Sequence, residues 1–170
     1  MSNTPLAASS RLFSGIMALG LLFQACASEK KCPYKPEAIF SSDLPRVRQY
    51  NFERKGQQSL ESLLLDSGVL VEIGQDICES SRQEYRFIVR GDYAAYADSL
   101  WMKEASRQLL YLSALSENQS ALKNWADALE MLRPQMKIGE ALTVQPGIQI
   151  KVDKVVSPGQ STLIVLFSQD

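Results

Sequence analysis

Three cysteines, no histidine and one cluster of alternating charges are the residues through which this chain could do chemistry. Without an imidazole there is no Ser-His-Asp or Cys-His nucleophile pair, no histidine ligand for a metal, and no near-neutral general base of the usual kind. Two of the cysteines are expected to bond to each other and so to offer zinc no thiolate set. The expectation is therefore no metal site and no cofactor. Neither a Gly-rich phosphate loop nor a G-x-S-x-G nucleophile turn occurs. What remains for acid–base work is carboxylate: Glu72 with Asp76 or Glu84, close in sequence to Arg86 and Arg90. A hydrolase built on them would hold two carboxyls about 5–9.5 Å apart around a glycan or ester. As a binding face, Glu72, Asp76, Arg86 and Arg90 would grip a charged partner. As a plain solvated sheet face they would form cross-strand ion pairs, each worth under about 1 kcal/mol.

The N-terminus sets where any such chemistry happens. Residues 1–10 are polar without an acid, Arg11 adds a positive charge, and residues 12–23 are an apolar run (LFSGIMALGLLF). Gln24, Ala25, Cys26 and Ala27 follow, and then the polar Ser28, Glu29, Lys30 and Lys31. This is the layout of a secretory signal. Twelve residues of helix reach about 18 Å, short of a hydrocarbon core of about 30 Å, so a permanent span is disfavoured. One cleavage option is the small-residue pair Ala25 and Ala27, releasing a soluble periplasmic or secreted protein that begins at Ser28.

The other option rests on a resemblance. The stretch Leu22-Phe23-Gln24-Ala25-Cys26 resembles the lipobox of bacterial lipoproteins, where the cysteine is acylated and becomes the new N-terminus. The resemblance implies a signal peptide over residues 1–25, a lipid (palmitate-type) anchor on Cys26 and a lipidated tether over residues 26–45. Ala27, rather than Asp, implies sorting to the outer membrane, facing the periplasm. Fatty chains would then hold the protein at the bilayer surface without a spanning segment. The resemblance ends at the leader and carries no information about residues 46–170.

Either route leaves Cys32 and Cys78 as an even pair in an oxidising compartment, so a disulfide between them is expected, with two buried thiols as the alternative. It would close a loop of about 46 residues and stabilise by about 3–4 kcal/mol in the chain-entropy account. The net charge is −1, and no basic run occurs. Nucleic acid is thereby disfavoured as a partner, because neutralising phosphates needs clustered Lys and Arg. A protein or an envelope component is expected instead.

Hydropathy patterning describes the scaffold. Residues 46–54 alternate as a half-buried strand, and residues 60–65 are short and apolar, strand or helical turn. Residues 69–78 and 83–90 read as a hairpin around residues 79–82. Val69, Val71, Ile73 and Ile77 share one face with Tyr85, Phe87 and Val89, and the charged residues take the other. If paired positions sum to 162, Glu72 faces Arg90 and Asp76 faces Arg86. If they sum to 160, Asp76 meets Glu84, a like-charge opposition. The first register is expected, and a Cys32–Cys78 bond would then draw the tether across the charged face.

Asp92 is placed to cap a first helix with the stripe Ala97, Leu100, Trp101, Ala105, Leu109 and Leu112. Residues 116–119 read as a capping box for a second, with Leu122, Trp125, Ala126, Leu129 and Leu132 inward and Pro134 at its end. Residues 148–153 alternate, and residues 162–167 are apolar on both faces, which points to a central, covered strand. The fold expected is a single α+β domain: an antiparallel sheet, order β-β-β-α-α-β-β, with a helical hairpin on one face. The expected role is that of an envelope lipoprotein with a non-catalytic binding domain, an inhibitor or immunity-type protein being one form. A carboxylate-based hydrolase and an accessory subunit of an envelope machine are the alternatives.

Overall fold

A computed structural model describes residues 35–78 and 81–169, all within the compact unit Lys31–Asp170. Seven strands alternate inward and outward side chains: β1 (Val47–Lys55), β2 (Gln58–Leu65), β3 (Leu70–Ile77), β4 (Ser81–Arg90), β5 (Ala141–Gln145), β6 (Ile148–Ser157) and β7 (Gln160–Gln169). Two helices, α1 (Asp98–Ser113) and α2 (Ser120–Leu132), separate β4 from β5. The strands form one antiparallel sheet in the order β1-β2-β3-β4-β7-β6-β5. This is the expected α+β domain, with four strands before the helices rather than three and three after them rather than two. The additions are β2, whose short apolar run left strand and turn open, and β5, which lies between the second helix and the alternating run at 148–153.

Period-2 patterning places Leu63, Leu65, Val71, Ile73, Tyr85, Phe87, Leu163, Val165 and Phe167 on one buried face. The helical hairpin covers β6 and β7 on that side, and the Ser106 hydroxyl on α1 ties it together by donating to the Ala126 carbonyl on α2 (3.0 Å). Trp101, Met102, Ala105, Leu109 and Leu112 are the buried stripe of α1, whereas Leu100 is 48% exposed and lies off it. Asp92 does not cap α1. It accepts from the Ala94 amide in a turn (2.9 Å), and the helix starts at Asp98. Residues 116–119 form a single 3-10 turn instead of a capping box, and the Gln119 amide is used elsewhere.

The backbones of the helices lie closest to β6 and β7, and residues 35–44 add cover over β2 and β3. Phe40 is buried in the core, the Gln119 side-chain amide donates to the Ile39 carbonyl (2.9 Å), and that of Gln75 to the Glu37 carbonyl (2.8 Å). A stretch that read as tether therefore enters the domain on the helix-bearing face and not across the charged one. Cys32 itself lies outside the described residues.

The β3–β4 register differs from both expectations. Paired positions sum to 158: Glu72 faces Arg86, Asp76 faces Arg82 and Gly74 faces Glu84. Opposite charges still meet across the strands. The connection has shrunk to residues 78–80, so Ser81 and Arg82, read as turn, are strand. A shorter loop costs less closure entropy, and sliding by four positions, an even number, keeps every inward side chain inward.

Candidate functional site

Seen from the side away from the helices, the sheet carries two kinds of residue. Leu64, Leu70 and Ile88 lie side by side across β2, β3 and β4, and the arc continues to Ile164 and Leu166 on β7, opposite Arg86 and Glu84. Beyond its ends stand Leu60 and Val155, 44% and 53% exposed. Inside the arc is the charged group. The Arg86 Nε donates to Glu84 Oε1 (2.6 Å) and the Arg82 Nη2 to Glu84 Oε2 (2.8 Å). Burial would raise the Glu84 carboxyl, but these two guanidinium bonds outweigh it and hold the group below its ordinary range.

Because both arginines turn along β4 toward Glu84, neither makes an ion pair with the acid it faces on β3. Asp76 accepts from the Gln58 side chain (3.0 Å), and Glu72 has no ion pair among the described residues. Between these two acids lies Gly74. Its backbone is ordinary strand, with no positive φ, and nothing lies within 4 Å of where a Cβ would be. The result is a concavity of about 290 Å³ floored by Gly74 and edged by Leu60, Glu72, Asp76, Arg82 and Glu84.

The structure thus brings Glu72, Asp76 and Arg86 together as the sequence suggested. It leaves Arg90 out: that residue sits opposite Gln160, about 13 Å along the strand from Arg86. Arg82 was missed because it read as turn, and Gly74 because a glycine in a strand carries no charge signal. Cys78 is half-buried in the bend after β3, and Cys26 and Cys32 lie outside the described residues. For hydrolysis the arrangement is poor. The acids stand on an open face, and the one most enclosed by cations is shifted down, the reverse of what a general acid requires.

The opposite face holds a different carboxylate. Glu61 on β2 is fully buried and accepts from the backbone amides of Ile39 (2.7 Å) and Phe40 (2.8 Å). Burial raises its carboxyl, and the amide bonds and Tyr50 only partly offset that. Burial and the Glu61 charge push the Tyr50 hydroxyl up to about 12, and Tyr85 is raised by the same two causes. The Tyr50 hydroxyl also donates to the Phe40 carbonyl (3.1 Å). Glu61 is a structural staple, sealed from any substrate. Its one sequence signal was an acid at an inward position of β2, in line with Leu63 and Leu65.

A second concavity, about 460 Å³, opens on the helix-bearing side where the start of α1 stands off the sheet. Phe87 and Leu163 line it from the sheet, and Tyr93, Tyr96 and Trp101 from the other side, with centroids 5.0–6.4 Å apart, Tyr93 edge-on to the other two and Tyr96 tilted on Trp101. Trp101 is the core anchor its stripe predicted, yet its indole N–H is buried without an acceptor among the described residues. Trp125 packs on Phe167 instead (4.9 Å). Tyr111 is half-buried, with its hydroxyl donating to Asp66 (3.1 Å) and Arg46 over its ring.

Compared with protein-family models, curated proteins and solved structures, the chain matches none. Among the described residues no helix is long and apolar enough to cross a membrane, and no group of three or more Cys, Asp or Glu is placed to hold a metal ion.

Proposed function

We propose that this chain is a cell-envelope lipoprotein, anchored through acylated Cys26 and sorted to the periplasmic side of the outer membrane, whose domain binds a protein partner on the open face of the sheet. The anchor is supported by the leader and by a cysteine where acylation requires one. The binding role is carried by Gly74. A glycine inside a central strand lowers stability by about 0.5–1 kcal/mol relative to alanine, and here no backbone angle demands it. Such a glycine marks a place where another molecule approaches the strand. The surroundings fit a protein: an aliphatic arc beside charges, and a strand, β7, that is apolar on both faces although no described helix packs on its outer one. Glu72 and Asp76 flank Gly74 on β3 without an ion pair among the described residues, while Arg82 and Arg86 are engaged by Glu84 on the β4 side of the notch, so the partner presents a Lys or Arg to the β3 side. An inhibitor or immunity-type protein would use such a face to occupy its target.

Affinity capture from detergent-solubilised envelopes tests the binding role. A protein retained by the wild-type chain is expected to be lost with Gly74→Thr and with Glu72→Lys, while neither variant melts below the wild type. Retention unchanged by either substitution sinks the open-face reading. Mass spectrometry of the mature N-terminus tests the anchor: an acylated Cys26 supports it, and intact Met1 on cytosolic material overturns it.

A further inference from the structure

The cleft beneath the start of α1 belongs to a different face and needs a different occupant. Helix α1 closes over the sheet from Trp101 onward, but Val69 and Val89 stay half-buried and Tyr96 and Leu100 are each 48% exposed. Apolar core is left unsealed there. The volume of about 460 Å³ falls within the range of small-molecule sites, about 300–1,000 Å³.

The aromatic wall is held deliberately. Gly91 adopts φ +131°, and a Cβ on it would lie 2.8 Å from the Tyr93 ring. Any other residue would be strained there and would push Tyr93 out of place. The Tyr93 ring in turn meets Tyr96 and Trp101 edge-on, so one constrained glycine positions the three rings that flank the cleft.

Charge at the mouth is one-sided. Glu104 is engaged by the Arg107 guanidinium (2.8 Å) and the Gln108 amide (2.6 Å). That leaves Lys103, also on the rim, with no carboxylate partner among the described residues. A cation thus stands unpaired at the mouth of an aromatic-walled cleft, and the one acid on the rim, Glu104, is already bonded.

We infer that this cleft binds a small anionic amphiphile, its apolar chain or ring lying against Tyr93, Tyr96, Trp101 and Leu163 and its acid group meeting Lys103. The site is independent of the open face. The bound molecule would be monomeric, since the cleft admits a single chain and offers one unpaired cation.

Calorimetric titration of the purified chain with decanoate, decanol and decyltrimethylammonium tests this, with phosphatidylglycerol vesicles as a fourth arm. Decanoate is expected to bind with one-to-one stoichiometry, at least tenfold tighter than either other decyl compound, and to move the Trp101 indole resonance. Lys103→Glu, an exposed change that leaves the fold intact, is expected to weaken decanoate at least fivefold and to leave decanol unchanged. Equal binding of the three decyl compounds, indifference to Lys103→Glu, or binding to vesicles without binding to decanoate each overturns the inference. Val69→Trp fills the cleft from the sheet side and is expected to abolish decanoate binding. Binding that survives it places the ligand elsewhere and also overturns the inference.

Discussion

Glu61 and Glu84 stand on opposite faces of one sheet with β3 between them, and their carboxyl groups are shifted in opposite directions. Both lose water. Glu61 receives only neutral donors in exchange, two backbone amides and a phenol, so desolvation prevails and the group is raised. Glu84 receives two guanidiniums, so charge prevails and the group is lowered. The donors, rather than the burial, decide the sign. The same contrast separates their roles. One carboxylate fixes residues 39 and 40 to the sheet. The other draws Arg82 and Arg86 along β4 to the residue opposite Gly74, which leaves Glu72 and Asp76 on β3 without an ion pair among the described residues.

The hardest way to break that contrast is to delete the buried acid. Glu61→Ala strands the amides of Ile39 and Phe40 and opens a cavity, and the expected loss in urea denaturation is about 2–4 kcal/mol. Hydrogen exchange at those two amides should accelerate more than at strand amides of β6 and β7. A loss below about 1 kcal/mol would mean that the covered face does not depend on its carboxylate.

On the open face the expected sign reverses. Gly74→Thr adds a β-branched side chain to a central strand with space above it, and a gain of about 1 kcal/mol is expected from thermal or urea unfolding. The two faces would then differ as fold differs from function: substitution costs stability on one and adds it on the other. Destabilisation by Gly74→Thr would erase that distinction and remove the reason for treating the notch as a site.

How much of this the sequence disclosed follows from the range over which each feature is determined. Alternation in residues 69–90 assigned Tyr85 and Phe87 inward and Glu72, Asp76 and Arg86 outward, because a period of two is a local property. Charge matching chose a register that the structure does not have. It failed by four positions because it was applied around a turn placed at residues 79–82, and the true loop pulls Arg82 into the strand. Residues 35–44 could not be read as part of the core. Their place depends on Glu61, more than twenty positions further on, and their own composition, polar with prolines, is that of a linker. Residues 162–167 gave a true position and an incomplete reason. Strand β7 is central in the sheet, yet its outer residues Ile164 and Leu166 are only half-buried. An apolar residue on a bare face signals cover, but not whether the cover belongs to the same chain.

The smallest effect is the most direct comparison of the two acids. A carboxyl raised in the folded state contributes stability that is complete below its ordinary value of 4.5 and is lost as pH rises through the folded pKa. A lowered one does the opposite: its contribution is complete above 4.5 and is lost as pH falls. On acidification from neutrality the wild-type unfolding midpoint should first rise, as Glu61 takes up its proton. It should then fall as Glu84 loses its charge below 4.5 and Asp153 below 3.8; burial would raise Asp153, but Lys151 and the Lys154 amide outweigh it and hold the group low. Glu61→Gln removes the rise and keeps the fall. Glu84→Gln keeps the rise and weakens the fall, leaving a remainder due to Asp153. If both variants instead track the wild-type curve from about pH 2 to pH 8, neither acid has the environment assigned to it, and burial without partner charge would have to be discarded as the cause of the difference.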